Sequence, residues 1–179
     1  LLGGDYVCGN TDYEVSCFSQ LARLEAKKGC YAVLGNHDYG EPQHQDGTDD
    51  SDPSLAIQAI ETTDIELLDD RAVWLEEKGD RIRLGGVSDL QMGDPRVGPT
   101  LEDTSSQDLV ILLSHNPDYA EELPAEGIDL VLSGHTHGGQ ITLFGLYAFY
   151  LPSDYGQKYR TGVVVNGSTT VIVSNGIGN

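Results

Sequence analysis

The sequence is poor in basic residues, in sulfur and in long apolar runs, and each shortage removes a class of function. Ten Lys and Arg stand against twenty-nine Asp and Glu, for a formal net charge of -19. Nucleic acid is held mainly by neutralising its phosphates, and no basic track is visible here, so a nuclease or another nucleic-acid partner is disfavoured. Cys8, Cys17 and Cys30 are three thiols, an odd number with no Cys-x-x-Cys pair. That excludes a disulfide framework and fits a reducing compartment. No apolar run approaches the roughly 18 residues needed to cross a bilayer. No signal-peptide pattern is present either. The chain opens at Leu1 inside what reads as a strand, without an initiator Met, so a preceding segment is expected, and any targeting signal or membrane contact is expected within it. Localisation stays open between the cytoplasm and a membrane or envelope association. The acidity itself reads as a solvated surface, part of it gathered at Asp46, Asp49, Asp50 and Asp52 in a polar stretch read as a mobile loop.

What is present is a chain of 179 residues, 39% hydrophobic and 22% charged, which suits one soluble domain with a sizeable core. Short apolar runs alternate with amphipathic segments, as in a layered α/β domain. Val15, Phe18, Leu21 and Leu24 recur every three residues and predict a helix from about Tyr13 to Lys28, stopped by Gly29. Tyr31 to Leu34 reads as a strand, followed by a polar loop to about Pro53 and a short helix over Leu55 to Ile60. Lys78-Gly79-Asp80 between Ala72–Glu76 and Arg81–Leu84 signals a hairpin. Leu109 to Leu113 and Asp129 to Leu132 are predicted strands, with a short helix over Pro117 to Leu123 between them. Val163–Val165 and Val171–Val173 bracket a second hairpin at Asn166-Gly167. Hairpins combined with strands separated by helices imply a mixed sheet.

Four of these apolar strands end alike. Leu1-Leu2-Gly3-Gly4 runs into Asp5, and Ala32-Val33-Leu34-Gly35 into Asn36 and His37. Ile111-Leu112-Leu113-Ser114 runs into His115, and Leu130-Val131-Leu132-Ser133-Gly134 into His135. A buried strand is a rigid support, and a small residue lets a metal or phosphate approach the backbone. Sites in open α/β sheets gather at such carboxyl ends. Imidazole, carboxylate and amide oxygen together suit borderline divalent metals such as Mn, Fe, Zn or Co. Four of the five histidines lie at these strand ends, which weighs against reading each as a core histidine.

Gly4-Asp5, Gly35-Asn36-His37-Asp38, His115 and Gly134-His135-Thr136-His137, in this order, resemble the motifs of calcineurin-like metallophosphoesterases. Ser114-His115-Asn116-Pro117-Asp118, Gly138-Gly139-Gln140 and Ser174-Asn175-Gly176-Ile177-Gly178 look like the bacterial branch that holds small membrane- or envelope-associated phosphodiesterases. The resemblance implies an α/β fold of two packed mixed β-sheets flanked by helices, a four-layer sandwich, over residues 1–179 as one domain. It implies hydrolysis of a phosphodiester, phosphomonoester or pyrophosphate at a centre of two divalent metal ions. By position, Asp5 would bridge both ions, Asn36, His115 and His135 would complete one site, and His137 would join Asp5 in the other. His37 would stand by the leaving-group oxygen as catalyst. The substrate implied is a small phosphorylated molecule, and the branch suggests a lipid-linked or nucleotide-sugar ester.

Two features depart from that pattern. The family's Asp-x-His motif would lie upstream of Leu1, so two ligands of one metal are not in this sequence. Cys8 stands where many relatives carry an Asp that orients the catalytic His; a thiol polarises His37 poorly, and Asp38 is the substitute within reach. These departures leave a second reading open, a catalytically impaired metal-binding scaffold of the same fold. Outside the motifs, His44 reads as a solvent-exposed histidine. Asp89 and Arg96 are placed in a loop that reaches the rim of the site. Tyr147, Phe149, Tyr150, Tyr155 and Tyr159 either line an apolar substrate entrance or pack beneath a long loop.

Overall fold

The computed structural model describes residues 1–8, 13–40 and 52–177. The acidic stretch with Asp46, Asp49 and Asp50, and His44 with it, lies outside the described residues. Among those described, ten strands are ordered into a six-stranded sheet, a two-stranded sheet and a small hairpin.

The large sheet is built around β5 (Leu109–Leu113) and β6 (Leu130–Ser133), which run parallel to each other and to their neighbours β4 (Asp80–Gly86) and β10 (Thr169–Val173). Both edges are antiparallel hairpin arms. β3 (Arg71–Glu77) pairs with β4 across Lys78-Gly79, both at positive φ, and β9 (Gly162–Asn166) pairs with β10. The sheet is therefore mixed, as the hairpin signals require. The smaller sheet pairs β1 (Cys30–Ala32) and β2 (Ile65–Leu67) in parallel, and Leu2 joins it through a single parallel bridge to Ala32. The α/β class and the two sheets are thus as expected. Strand β2 was not legible in the sequence, being only three residues long.

Strand alternation divides the apolar residues between faces. Leu84 and Leu113 of the large sheet meet Val33 and Leu68 between the two sheets. On the far face Val110, Leu112, Val131, Val171 and Val173 are covered by Tyr119, Ala120 and Tyr159. These covering residues sit on short 3-10 helices, Pro117–Glu121 and Gly156–Tyr159, the first of them where a short helix over Pro117 to Leu123 is predicted. The outer face of the small sheet is covered by α1 (Glu14–Leu21) and α2 (Ser54–Glu61) through Phe18, Ala56, Ala59 and Ile60.

Helix α1 ends at Leu21, seven residues short of the expected Lys28. The reason lies in the spacing that suggested it. A helix turns about 100° per residue, so apolar residues at strict intervals of three drift by roughly 60° each time. Val15, Phe18, Leu21 and Leu24 would accordingly spread around a helix continued to Lys28: Phe18 is fully buried, whereas Val15 and Leu24 are 67% and 51% exposed. With no continuous face to bury, the helix has nothing to hold its second half.

Glu14, at the first turn of α1, is fully buried, and neither carboxylate oxygen has a hydrogen-bond partner among the described residues. Burial, then the charge of Asp38, raises its pKa from 4.5 to about 7. In the unfolded chain it ionises near the ordinary value, so its contribution to stability is present below pH 4.5 and lost as pH rises towards 7. Glu14→Gln is expected to match the wild type near pH 4.5 and to be more stable by about 2–3 kcal/mol at pH 8. Urea midpoints at the two pH values check this; equal effects at both would show that the carboxyl is not held neutral.

Candidate metal centre

The two sheets meet at their carboxyl-terminal ends, and the strand-end residues meet with them. Asp5 follows the Leu2 bridge of the small sheet, while His115 and His135 follow β5 and β6 of the large one. His115 spans the junction: Nδ1 lies 2.7 Å from the carbonyl oxygen of Gly3, and Nε2 lies 3.1 Å from Oδ2 of Asp5. A carbonyl can only accept, so Nδ1 carries the proton and Nε2 is turned towards Asp5. Nδ1 of His135 is 3.3 Å from that same Nε2. Asp5, His115 and His135 thus offer ligand atoms that all lie within 4.8 Å of one another.

The approach this tight depends on glycine. A Cβ on Gly4 would stand 2.8 Å from Nδ1 of His115, and one on Gly35 would stand 2.3 Å from Oδ1 of Asp5. The backbone is strained at the site itself, with positive φ at Asp5 (57°), His135 (65°) and His137 (49°). Non-glycine residues adopt that conformation rarely, and it persists where surrounding structure over-determines it. Asp38 supplies part of that restraint. Its carboxylate accepts from the backbone N–H groups of Asp5, Tyr6 and Gly35 at 2.7–2.8 Å. Oδ1 of Asp5 in turn accepts from the N–H of His37 at 3.0 Å.

Electrostatically, burial would push the His115 imidazole down, but the hydrogen bond and charge of Asp5 outweigh it and hold it above its ordinary value. Burial likewise opposes ionisation of Asp5, and His115 and His37 overcome it, so its carboxyl sits below the usual range. His135 is depressed to about 4 by burial and by the nearby His115; it is a neutral imidazole at physiological pH. Asp38 is raised to about 6, chiefly by burial.

Asp5, Asn36, His37, His135 and His137 line one cleft of about 760 Å³, with His115 buried beneath it. Asn36 Oδ1, His135 Nε2 and His137 Nδ1 are buried there with no hydrogen-bond partner among the described residues. Buried polar atoms are normally satisfied, and three unsatisfied acceptors beside a carboxylate fit the coordination of a borderline divalent cation. The rest of the lining reinforces this. Among the described residues it includes Asp118, Glu122 and Asp154 but neither Lys nor Arg. An anionic phosphate would meet only negative charge without a cation in the cleft.

Matching this geometry, the model of the calcineurin-like phosphoesterase family covers residues 1–139. The chain belongs to that family. It is 32% identical over 161 residues to the uncharacterized metallophosphoesterase YkuE of Bacillus subtilis (strain 168), covering 88% of this chain and 52% of YkuE. It is 29% identical over 180 residues to phosphodiesterase YaeI of Escherichia coli (strain K12), covering 100% of this chain and 63% of YaeI. UDP-2,3-diacylglucosamine pyrophosphatase LpxG of Chlamydia muridarum (strain MoPn / Nigg) is 27% identical over 185 residues, covering 78% of this chain and 54% of LpxG. The chain thus spans about half to two-thirds of the length of these relatives. Among solved structures, the sulfate thiohydrolase SoxB of Thermus thermophilus superposes with a TM-score of 0.55 at 14% identity, over 96% of this chain and 33% of that one. At that identity the likeness is one of fold.

Several residues at the site were not singled out from the sequence, or were given another part. Asp38 was the substitute for Cys8 in orienting His37; instead its oxygens clamp three backbone N–H groups, and Cys8 is exposed and does not line the cleft. Asp118 accepts from Ser153 Oγ at 2.6 Å and from the N–H of Asp154 at 2.7 Å, fixing the loop on the opposite rim. Asn-Pro-Asp after His115 was the available signal for it. Asp89 is fully buried behind the rim residues Leu90 and Gln91, whereas Arg96 points outward and pairs with Asp70 at 3.1 Å. Of the aromatics, Tyr159 is core and Tyr150 lines the cleft.

Proposed function

We propose that this chain carries the catalytic centre of a metal-dependent phosphoric ester hydrolase. The observation that supports it most is a cleft that, among the described residues, has three buried ligand atoms without a hydrogen-bond partner, an imidazole–carboxylate cluster and no Lys or Arg. Asp5, Asn36, His115 and His135 would hold one divalent cation, and His137 would join Asp5 towards a second. Such ions supply the Lewis acidity that polarises a phosphoryl oxygen and acidifies a water at neutral pH.

The chain's own residues do the remaining work. The Gly3 carbonyl fixes the tautomer of His115, and the Asp38 clamp fixes Asp5 against the Asn36 turn. His37 follows Asn36 directly, so the backbone held by Asp5 carries an imidazole into the cleft, where it would give a proton to the departing ester oxygen. No Ser or Cys nucleophile is needed. A diester or pyrophosphate substrate is favoured by the names of YaeI and LpxG, and the latter's name extends this to a lipid-linked molecule.

The test is chelation and reconstitution of the full-length protein with Mn, Fe, Zn or Co, assayed on nitrophenyl phosphomonoesters and bis-nitrophenyl phosphate. Stripped protein is expected to lose turnover and to regain it with at least one of these ions. Full turnover by protein shown to be free of metal would overturn the proposal, as would a well-folded, metal-loaded protein without turnover on either ester class.

A further inference from the structure

From Gly138 to Ser153 the chain carries no charged residue, although it belongs to a protein with a net charge of -19. This stretch folds as a two-stranded hairpin, β7 (Thr142–Leu143) paired with β8 (Tyr147–Ala148). Its large apolar side chains stay at the surface, with Tyr147 and Phe149 packed edge to face on each other. Phe144 at the tip is 89% exposed and Leu146 is 80% exposed, and Ile141, Leu143, Phe149 and Tyr150 are exposed beside them. Scattered exposed apolar residues are ordinary, but so many contiguous ones mark a surface that meets something.

The hairpin is also anchored as a unit. Arg160 donates to the carbonyls of Gly138 at 3.3 Å and Gly145 at 2.9 Å, gripping the base and the turn. Between the hairpin and the metal cleft lies a groove of about 240 Å³ lined by Ile141, Phe149 and Tyr150, which shares His137, Gln140, Tyr150 and Pro152 with that cleft. An apolar surface therefore adjoins the cleft at His137.

We propose that the 141–150 hairpin inserts into the interfacial zone of a zwitterionic lipid bilayer and seats the cleft at headgroup level, where it meets a membrane-resident phosphoester. The mixture of Phe, Leu and Tyr suits that zone, since phenol rings have an apolar body and a polar end. Part of its backbone is paired, Leu146 N–H to the Leu143 carbonyl, Gly145 to Arg160 and Ala148 to the Gln157 amide, which lowers the cost of leaving water. Charge selects the bilayer: Arg160 is the one cation at the hairpin turn among the described residues, and against it stand Asp118, Glu122 and Asp154 on the flanking rim and a net charge of -19, so an anionic surface is repelled and a neutral one is not. The catalytic part of this proposal rests on the phosphoesterase reading, whereas the docking part does not.

The experiment is flotation of the full-length protein with phosphatidylcholine and with phosphatidylglycerol vesicles, comparing the wild type with Phe144→Ser/Leu146→Ser. Both side chains are highly exposed and neither lines the cleft, so the variant should fold normally. The expected result is binding to phosphatidylcholine that falls at least tenfold in the variant, the scale of two large apolar side chains withdrawn from an apolar phase, with unchanged turnover of soluble bis-nitrophenyl phosphate. Equal vesicle binding by the two proteins, or binding to phosphatidylglycerol alone, would overturn docking. So would a concentration-dependent dimer, abolished by the variant, in protein that ignores vesicles. Hairpin-dependent flotation without turnover of any ester in metal-loaded protein would leave docking standing and remove the phosphoesterase reading instead.

Discussion

Asp5→Asn is expected to strip the centre of metal and to lower kcat on the order of 10³-fold, the rate equivalent of several kcal/mol of lost Lewis-acid stabilisation. The substitution keeps an oxygen that can accept from the N–H of His37, a bond now 3.0 Å long. The loop should therefore hold its shape, and the loss would come from charge and coordination. Removing the carboxylate also removes what holds the His115 imidazole above its ordinary value, so two members of the cluster change together. Metal content by plasma mass spectrometry, with circular dichroism as the folding control, checks this. A folded variant with wild-type metal and wild-type turnover would show that Asp5 is not central.

His37→Ala is expected to do the opposite to metal and nearly as much to rate. His37 lines the cleft but, unlike Asn36, His135 and His137, shows no buried unpartnered ligand atom among the described residues, so metal content should stay unchanged while kcat falls roughly 10²–10⁴-fold, as for a lost general acid. The loss should be greatest on esters with poor leaving groups, because a good one departs without a proton. A metal-depleted variant would reassign His37 as a ligand, and an equal loss on all leaving groups would remove its acid role.

How much of this was legible in the sequence depends on how local the signal was. His115 and His135 stood out as candidates because each follows a continuous apolar strand and one or two small residues, a pattern set by neighbours in the chain. The Lys78-Gly79 hairpin was found for the same reason, since positive φ at two successive residues is a local demand. The extent of α1 was misread because recurrence every three residues looks helical while drifting off one face. The part played by Asp38 was not legible either: its three partners include Asp5 and Tyr6, more than thirty residues away, and no local pattern reports where a carboxylate turns. The 141–150 hairpin escaped as well, because strands of two residues have no period to detect. Its aromatics were noticed, but only the fold separates Tyr159 in the core from Phe149 and Tyr150 outside it.

The central claim is that five residues from two sheets hold metal in one cleft, and anomalous diffraction from zinc-soaked crystals of the full-length protein tests it most directly. The expected result is an anomalous peak bounded by Asp5, His115 and His135, within about 2.0–2.2 Å of nitrogen and oxygen ligands, with Asn36 Oδ1 among them, and a second peak beside Asp5 and His137. A peak elsewhere on the protein, with Asp5 and His115 still paired to each other, would contradict it.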